Sequence, residues 1–260
     1  ASDVYKRQPE ELDDASKVIN YYHTSLIVLR HVANAKDINA VLGYMEQTGK
    51  VPEVAPIAPP EVSVRDTAEL MNPGVYFNDE VRQNLIQNYR GLFTSRAQFY
   101  ANFDKFLSYR KNNKKAETTK LLKENYQLSI AMSEYKQVIF DILSPLTEQA
   151  EKELLADEPL KDQIMAMRKM SGTVQSIMNL YSRKHVMDGM RIDVKMAELK
   201  KELEAAKKLP AVTGYDEELK NYQSFLSSVE SFMKDMQKAR DKGAYSDADY
   251  NAMSLSLIHI

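Results

Sequence analysis

The 260-residue chain carries 35 basic and 37 acidic side chains, a net charge of −2, with 43% hydrophobic residues and no cysteine. That apolar fraction excludes a disordered chain, and the missing cysteine excludes thiol nucleophiles, thiolate metal sites and disulfides. A near-neutral charge argues against the phosphate-neutralising surface that nucleic-acid binding requires, and no stretch approaches the roughly 18 apolar residues of a membrane span.

The two ends do not read as natural protein. Residues Asp3–Gln8 are the translation of GATGTGTATAAGAGACAG, and Leu255–Ile260 are the translation of its reverse complement, the transposon-end adapter of sequencing libraries. Residues 1–8 and 255–260 are therefore set aside, leaving 9–254 as a single helical domain truncated at both ends. Removing Lys6, Arg7 and Asp3 leaves 33 basic and 36 acidic side chains, a net of −3. On this reading both native termini are missing, and the apolar tail Leu255–Ile260 is no membrane anchor.

In chain order, a first helix is expected over about Leu12–Ala33 and a shorter one near Asp37–Gln47. Five of the nine prolines then fall between Pro52 and Pro73, so Val51–Gly74 reads as an irregular, extended connector in which each ring fixes φ and removes a donor. Val81, Leu85, Tyr89, Leu92, Phe99, Phe103 and Phe106 line a helix of roughly Asp79–Tyr109. The polar tip Arg110–Lys115 turns this into an antiparallel hairpin with a helix carrying Leu121, Asn125, Leu128, Met132, Tyr135, Ile139, Ile142 and Leu146. Ser144-Pro145 is expected to kink that helix or restart it, with Ser144 as cap.

From Pro159 to about Lys208 an apolar stripe continues through Leu160, Ile164, Met167, Val174, Met178, Tyr181, Ile192, Leu199 and Leu203, with Gly172 and Gly189 as sites for a bend. After Pro210, Leu219, Tyr222, Leu226, Val229, Met233 and Met236 recur at spacings of 3, 4, 3, 4 and 3, a heptad-like seam. This predicts a helix over about 214–241 that ends near Gly243, with the Thr213 hydroxyl capping its start. The fold class is all-α: an elongated antiparallel helical bundle of coiled-coil-like hairpins with one Pro-rich connector.

Candidate chemistry is sparse. His23 and His31 lie eight residues apart on the first helix, without a metal-ligating spacing. His185 and Asp188, three apart on the projected seam, would share one helix face, as a buried acid–base pair or, more plainly, as a polar layer that fixes register. Seven of the thirteen methionines lie between Met165 and Met196, and the pairs Met167/Met170, Met187/Met190 and Met233/Met236 sit at one-turn spacing. Paired thioethers suit a soft ion such as Cu(I) or a flexible groove for an apolar ligand or partner helix, whereas the bland reading is core filling. The basic stretch Lys111–Lys120 lacks interleaved aromatics and does not suggest nucleic acid. There is no phosphate-cradling glycine loop and no nucleophile elbow. No catalytic residue and no cofactor are expected.

Three segments resemble the YiiG-like bacterial lipoproteins, a family of unknown function: Ala15-Ser16-Lys17-Val18-Ile19-Asn20-Tyr21-Tyr22, Leu143-Ser144-Pro145-Leu146-Thr147-Glu148-Gln149-Ala150, and Gly243 to Met253. The resemblance implies an exported helical protein, tethered in the periplasm or cell envelope by a lipidated cysteine upstream, and carries over no catalytic residues. The resulting expectation is a non-enzymatic extracytoplasmic protein that binds a partner protein or a small apolar ligand and meets the membrane only through that anchor. Two other readings stand beside it: a cytosolic coiled-coil scaffold completed by a partner or by a second copy as a homo-oligomer, and an apolar-ligand or soft-metal carrier built on the Met-rich helix.

Overall fold

The computed structural model describes residues 9–47 and 54–257; residues 1–8 and 258–260 of the adapter-like ends, and 51–53 of the Pro-rich segment, lie outside the described residues. The described chain is helical throughout, with no strand, as the apolar periodicity demands. The helices are α1 (Pro9–Val32), α2 (Ala35–Met45), α3 (Val64–Met71), α4 (Asp79–Lys111), α5 (Lys115–Leu154), α6 (Lys161–Tyr181), α7 (Gly189–Lys207), α8 (Asp216–Asp241) and α9 (Asp247–Ser256). None of them is long and apolar enough to cross a membrane.

The described residues fall into two compact units, one within Tyr21–Ile142 and one that joins the residues up to Asn20 with those from Leu143 onward. The boundaries fall inside α1 and inside α5. The second lies three residues before Pro145, and α5 runs through that proline without interruption. Pro145 removes the N–H that would bond the Asp141 carbonyl, but both residues are exposed, so water takes the freed acceptor.

In the unit Tyr21–Ile142, α4 turns into α5 at the expected tip. Asn113 adopts φ +55°, a left-handed conformation that asparagine tolerates, and the Lys114 amide donates to the Tyr109 carbonyl at 3.0 Å. Leu85, Tyr89, Leu92, Phe99, Phe103 and Phe106 are buried as their spacing predicts. Asn125, which interrupts the apolar seam of α5, is fully buried. Its amide donates to the Phe99 carbonyl at 3.1 Å, and its oxygen accepts from Asn102 at 3.1 Å. Gln98 and Glu124 complete this layer around Asn102. A satisfied amide layer of this kind locks the register of two helices, because a slip would strand its donors in an apolar seam.

The connector 51–74 is not irregular throughout. Its proline-free stretch forms α3, started by Ser63, whose hydroxyl accepts from the Asp66 amide at 3.2 Å. Leu70 is buried, and its carbonyl accepts from the buried Tyr21 hydroxyl at 2.8 Å, fastening α3 to α1.

In the other unit, the stripe predicted over 159–208 is broken between α6 and α7, at residues 182–188 directly before Gly189, one of the two glycines expected to bend it, and not at Gly172. The Ser182 hydroxyl takes the Asn179 carbonyl at 2.8 Å at the end of α6, and the Asp188 carboxylate accepts from the Arg191 amide at 3.2 Å to start α7. Short polar side chains offer the backbone partners that a continuing helix would supply, so the chain stops and restarts. His185 therefore lies exposed in the connection, while Asp188 caps α7, so the two do not sit on one continuous helix as the projected seam supposed.

α8 matches its prediction closely, but Tyr215 and not Thr213 occupies the capping position, and no side chain bonds there. Gly243, with φ +71°, closes the end and donates to the Arg240 carbonyl at 3.1 Å. Phe225, Phe232 and Ala239 are buried along with Tyr222, Leu226, Val229 and Met236, while Leu219 and Met233 are half-buried. The buried face is thus broader than a two-helix seam, since α8 meets α6, α7 and α9. The Tyr222 hydroxyl donates to the Ala206 carbonyl at 2.6 Å, and the Arg240 guanidinium pairs with both oxygens of Asp193 at 3.0 and 3.1 Å. α9 was not foreseen. Ser246 caps it, Met253 is buried, and the helix continues into Leu255 and Ser256, with Leu257 packed half-buried on the core.

Two measurements check this account. Asn125→Ala should lower stability in urea unfolding by about 1–3 kcal/mol, because the buried Asn102 amide loses one of its two acceptors and the seam loses the Asn125 side chain. Asp188→Ala should cost about 1 kcal/mol through the lost α7 cap.

Candidate functional site

The residues singled out from the sequence do not converge. Met170 is fully buried in the core of the α6–α9 unit, and Met167 packs half-buried on it. Met187 lies half-buried in the 182–188 connection, whereas Met190 is 82% exposed at the start of α7, so these two form no one-turn thioether pair. Met236 is fully buried, with Met233 packed against the same core. The thioethers of Met167, Met170, Met233 and Met236 fill space between helices, the use to which flexible, polarizable side chains are put in helical cores. His23 is exposed, and His31 lies elsewhere on α1. Among the described residues no group of three or more histidine, cysteine or acidic side chains is placed to hold a metal ion.

The structure instead shapes a cleft that the sequence did not announce. It lies in the Tyr21–Ile142 unit, has a volume of about 470 Å³, and is lined by Ile27, Arg30 and His31 of α1, Asn34, Asp37 of α2, the extended Glu61-Val62, and Ser63 and Asp66 at the start of α3. Three local features build it. Asn34 ends α1 and caps α2, its side chain accepting from the Asp37 amide at 3.1 Å. Ser63 does the same for α3 with Asp66. Both acids sit three residues after their caps, where a carboxylate faces the positive end of a helix. The third feature is the anchoring of the extended segment. The His31 ring bonds the Pro60 carbonyl through Nε2, and Arg96 of α4 donates to the Pro59 carbonyl at 3.2 Å.

The charge balance of the cleft is asymmetric. Asp37, Glu61 and Asp66 contribute three carboxylates against the single guanidinium of Arg30, and none of these four side chains makes an ion pair among the described residues. Ile27, 61% exposed, and Val62 supply an apolar wall. Close to Arg30, the half-buried Lys136 of α5 donates to the Ala33 carbonyl at 3.4 Å, at the end of α1. Burial first, and the neighbouring Arg30 cation second, lower the Lys136 ammonium to about 8. The signal for these elements was present in the sequence: Asn34-x-x-Asp37 and Ser63-x-x-Asp66 are both capping patterns. The approach of residues 59–66 to the end of α1 was not.

Comparison with known proteins places this arrangement in a family. Residues 9–157 match DUF6845, a domain of unknown function, and residues 159–257 match the DUF3829-like C-terminal domain. The family boundary thus falls in the turn between α5 and α6, not where contacts divide the chain. An uncharacterised DUF3829-like protein from Bacteroides thetaiotaomicron is 73% identical, with 96% of this chain and 100% of that chain covered and a TM-score of 0.87. An alpha helical protein from Bacteroides fragilis is 58% identical, with 96% and 98% covered and a TM-score of 0.90. No curated protein matches the chain. Neither the matched families nor these relatives carry the YiiG-like lipoprotein description suggested by the three sequence segments. The chain belongs to the DUF3829-like family of helical proteins, with a DUF6845 domain followed by the DUF3829-like C-terminal domain.

Proposed function

We propose that the chain is a non-catalytic binding protein of the bacterial envelope, lipid-anchored through a segment upstream, which takes a small organic cation in the α1–α2–α3 cleft. The cleft carries this reading. Its volume of about 470 Å³ lies within the range of small-molecule sites, roughly 300–1,000 Å³. Its carboxylates outnumber its cation, so a positively charged ligand gains on entering and an anion does not. The His31 ring is committed to holding the Pro60 carbonyl. Ile27 and Val62 favour a ligand with an apolar flank, the part of the original expectation of an apolar ligand that this site retains. The envelope location rests on the three segments that resemble lipoproteins and fits the bacterial source of the relatives.

Two experiments test the parts separately. Titration of the chain with spermidine should show saturable binding. Glu61→Gln should weaken it about two- to fivefold and Arg30→Gln should strengthen it, because an exposed charge contributes up to about 1 kcal/mol. Binding indifferent to both substitutions would remove the cleft from consideration. For the location, the coding sequence upstream of Pro9 should contain an export segment ending in a lipidation cysteine, and the precursor should incorporate labelled palmitate. An upstream frame that opens on a plain methionine without an export segment would move the cytosolic scaffold into its place.

A further inference from the structure

One face of α7 is apolar and lies open. Ile192 and Leu199 are fully buried on the side that packs against α6 and α8. Met190 and Val194, 82% and 66% exposed, lie on the opposite side, and Ala197 and Lys201 continue that exposed line. The four residues are separated by 4, 3 and 4 positions, the spacing of a coiled-coil seam. α7 thus carries two faces: one joins its own core, and the other has the form that receives a second helix.

The flanking charges specify which helix. Arg191 and Glu198 stand along one side of the open seam, seven positions apart, and Asp193 and Lys200 stand along the other. Each flank carries one base and one acid, in opposite order along α7. Such a helix is complementary to itself when the second copy runs antiparallel. With Val194 across from the second copy's Ala197, Arg191 falls beside the second copy's Glu198, and Asp193 falls beside the second copy's Lys200. A two-fold axis repeats both pairs. Parallel, in-register pairing would instead set Asp193 against the second copy's Glu198, acid on acid. The antiparallel register also lays the aliphatic stem of Lys201 over the second copy's Met190 while the ammonium stays in water.

Three of these charges are also paired within the chain. Arg191 lies 3.7 Å from Asp188, Asp193 binds Arg240 at 3.0 Å, and Glu198 binds Lys195 at 3.2 Å. Pairs as open to solvent as these contribute little alone, so sharing them with a second copy costs little.

We propose that the outward face of α7, from Met190 to Lys201, is a self-association surface that pairs two copies of the chain antiparallel about a two-fold axis. The paired stretch is about 18 Å long, and it buries less than the roughly 1,200 Å² of a standard interface. The association is therefore weak, with a dissociation constant on the order of 0.1–1 mM. It is independent of the cleft, which belongs to the other unit, and holds whatever that cleft binds.

The test is sedimentation equilibrium of the whole chain at up to about 1 mM, joined to disulfide trapping. The parent should show a concentration-dependent dimer. Val194→Lys, a change at an exposed position, should abolish it and leave the thermal midpoint unchanged. Arg191→Glu should weaken the dimer about three- to tenfold, because two like-charge pairs replace two opposite ones, and Arg191→Glu with Glu198→Arg should restore it. The chain has no cysteine, so introduced ones report without background. Under oxidation, Val194→Cys mixed with Ala197→Cys should form chiefly the disulfide between the two variants. A parent that stays monomeric at about 1 mM, a dimer indifferent to Val194→Lys, or disulfides formed chiefly within each variant would overturn the proposal. If Val194→Lys unfolds the chain, the charge reversal at 191 and its rescue at 198 decide the matter.

Discussion

Proline has no amide proton, and in this chain much of the architecture is arranged around that missing donor. Between residues 54 and 63 the rings hold the backbone extended and deny it the hydrogen bonds of a helix. The carbonyls of Pro59 and Pro60 still need donors, and they find them in the side chains of Arg96 and His31. Those two bonds hold the segment beside α1 and α4, and the same segment then forms one wall of the cleft. Where the prolines stop, Ser63 caps α3 at once, and Ser63 and Asp66 at the start of that helix line the same cleft. At Pro145 the missing donor has little consequence, because the carbonyl it abandons lies on the exposed face of α5.

The helices themselves are held by apolar faces, with polar atoms admitted where they are answered. Asn125 brings an amide into the α4–α5 seam and satisfies it on the Phe99 carbonyl and Asn102. The hydroxyls of Tyr21 and Tyr222 reach helix-terminal carbonyls at Leu70 and Ala206. Each such bond contributes on the order of 1 kcal/mol, less than the roughly 1.5–3 kcal/mol from burying a large apolar side chain, but unlike apolar contact it has a direction. A helix can slide on a greasy face; it cannot slide past a buried amide whose partners stay in place.

The same contrast separates two sets of charged side chains. In the cleft the charged groups are held open to solvent by caps and turns, so they can meet a ligand without disturbing the core. Glu202 is placed against α6, where both its oxygens meet the buried Thr173 hydroxyl.

The amino-acid sequence by itself determined the fold class, the long helices, the α4–α5 hairpin and most of the buried faces, because each follows from a local period or a local polar break. It carried the caps at Asn34 and Ser63 as well, although five prolines in 22 residues hid α3. The period misled at residues 182–188, where apolar spacing ran on through a stretch whose backbone bonds Ser182 and Asp188 had already claimed. Only the tertiary structure decided that His185 falls in a connection and not on a helix, that the core around α8 draws on three neighbours, and that residues 59–66 return to the end of α1. The reason is physical. Helical period and capping act over four residues, whereas the cleft depends on contacts such as His31 to Pro60 and Arg96 to Pro59, 29 and 37 positions apart, for which the chain has no local signature.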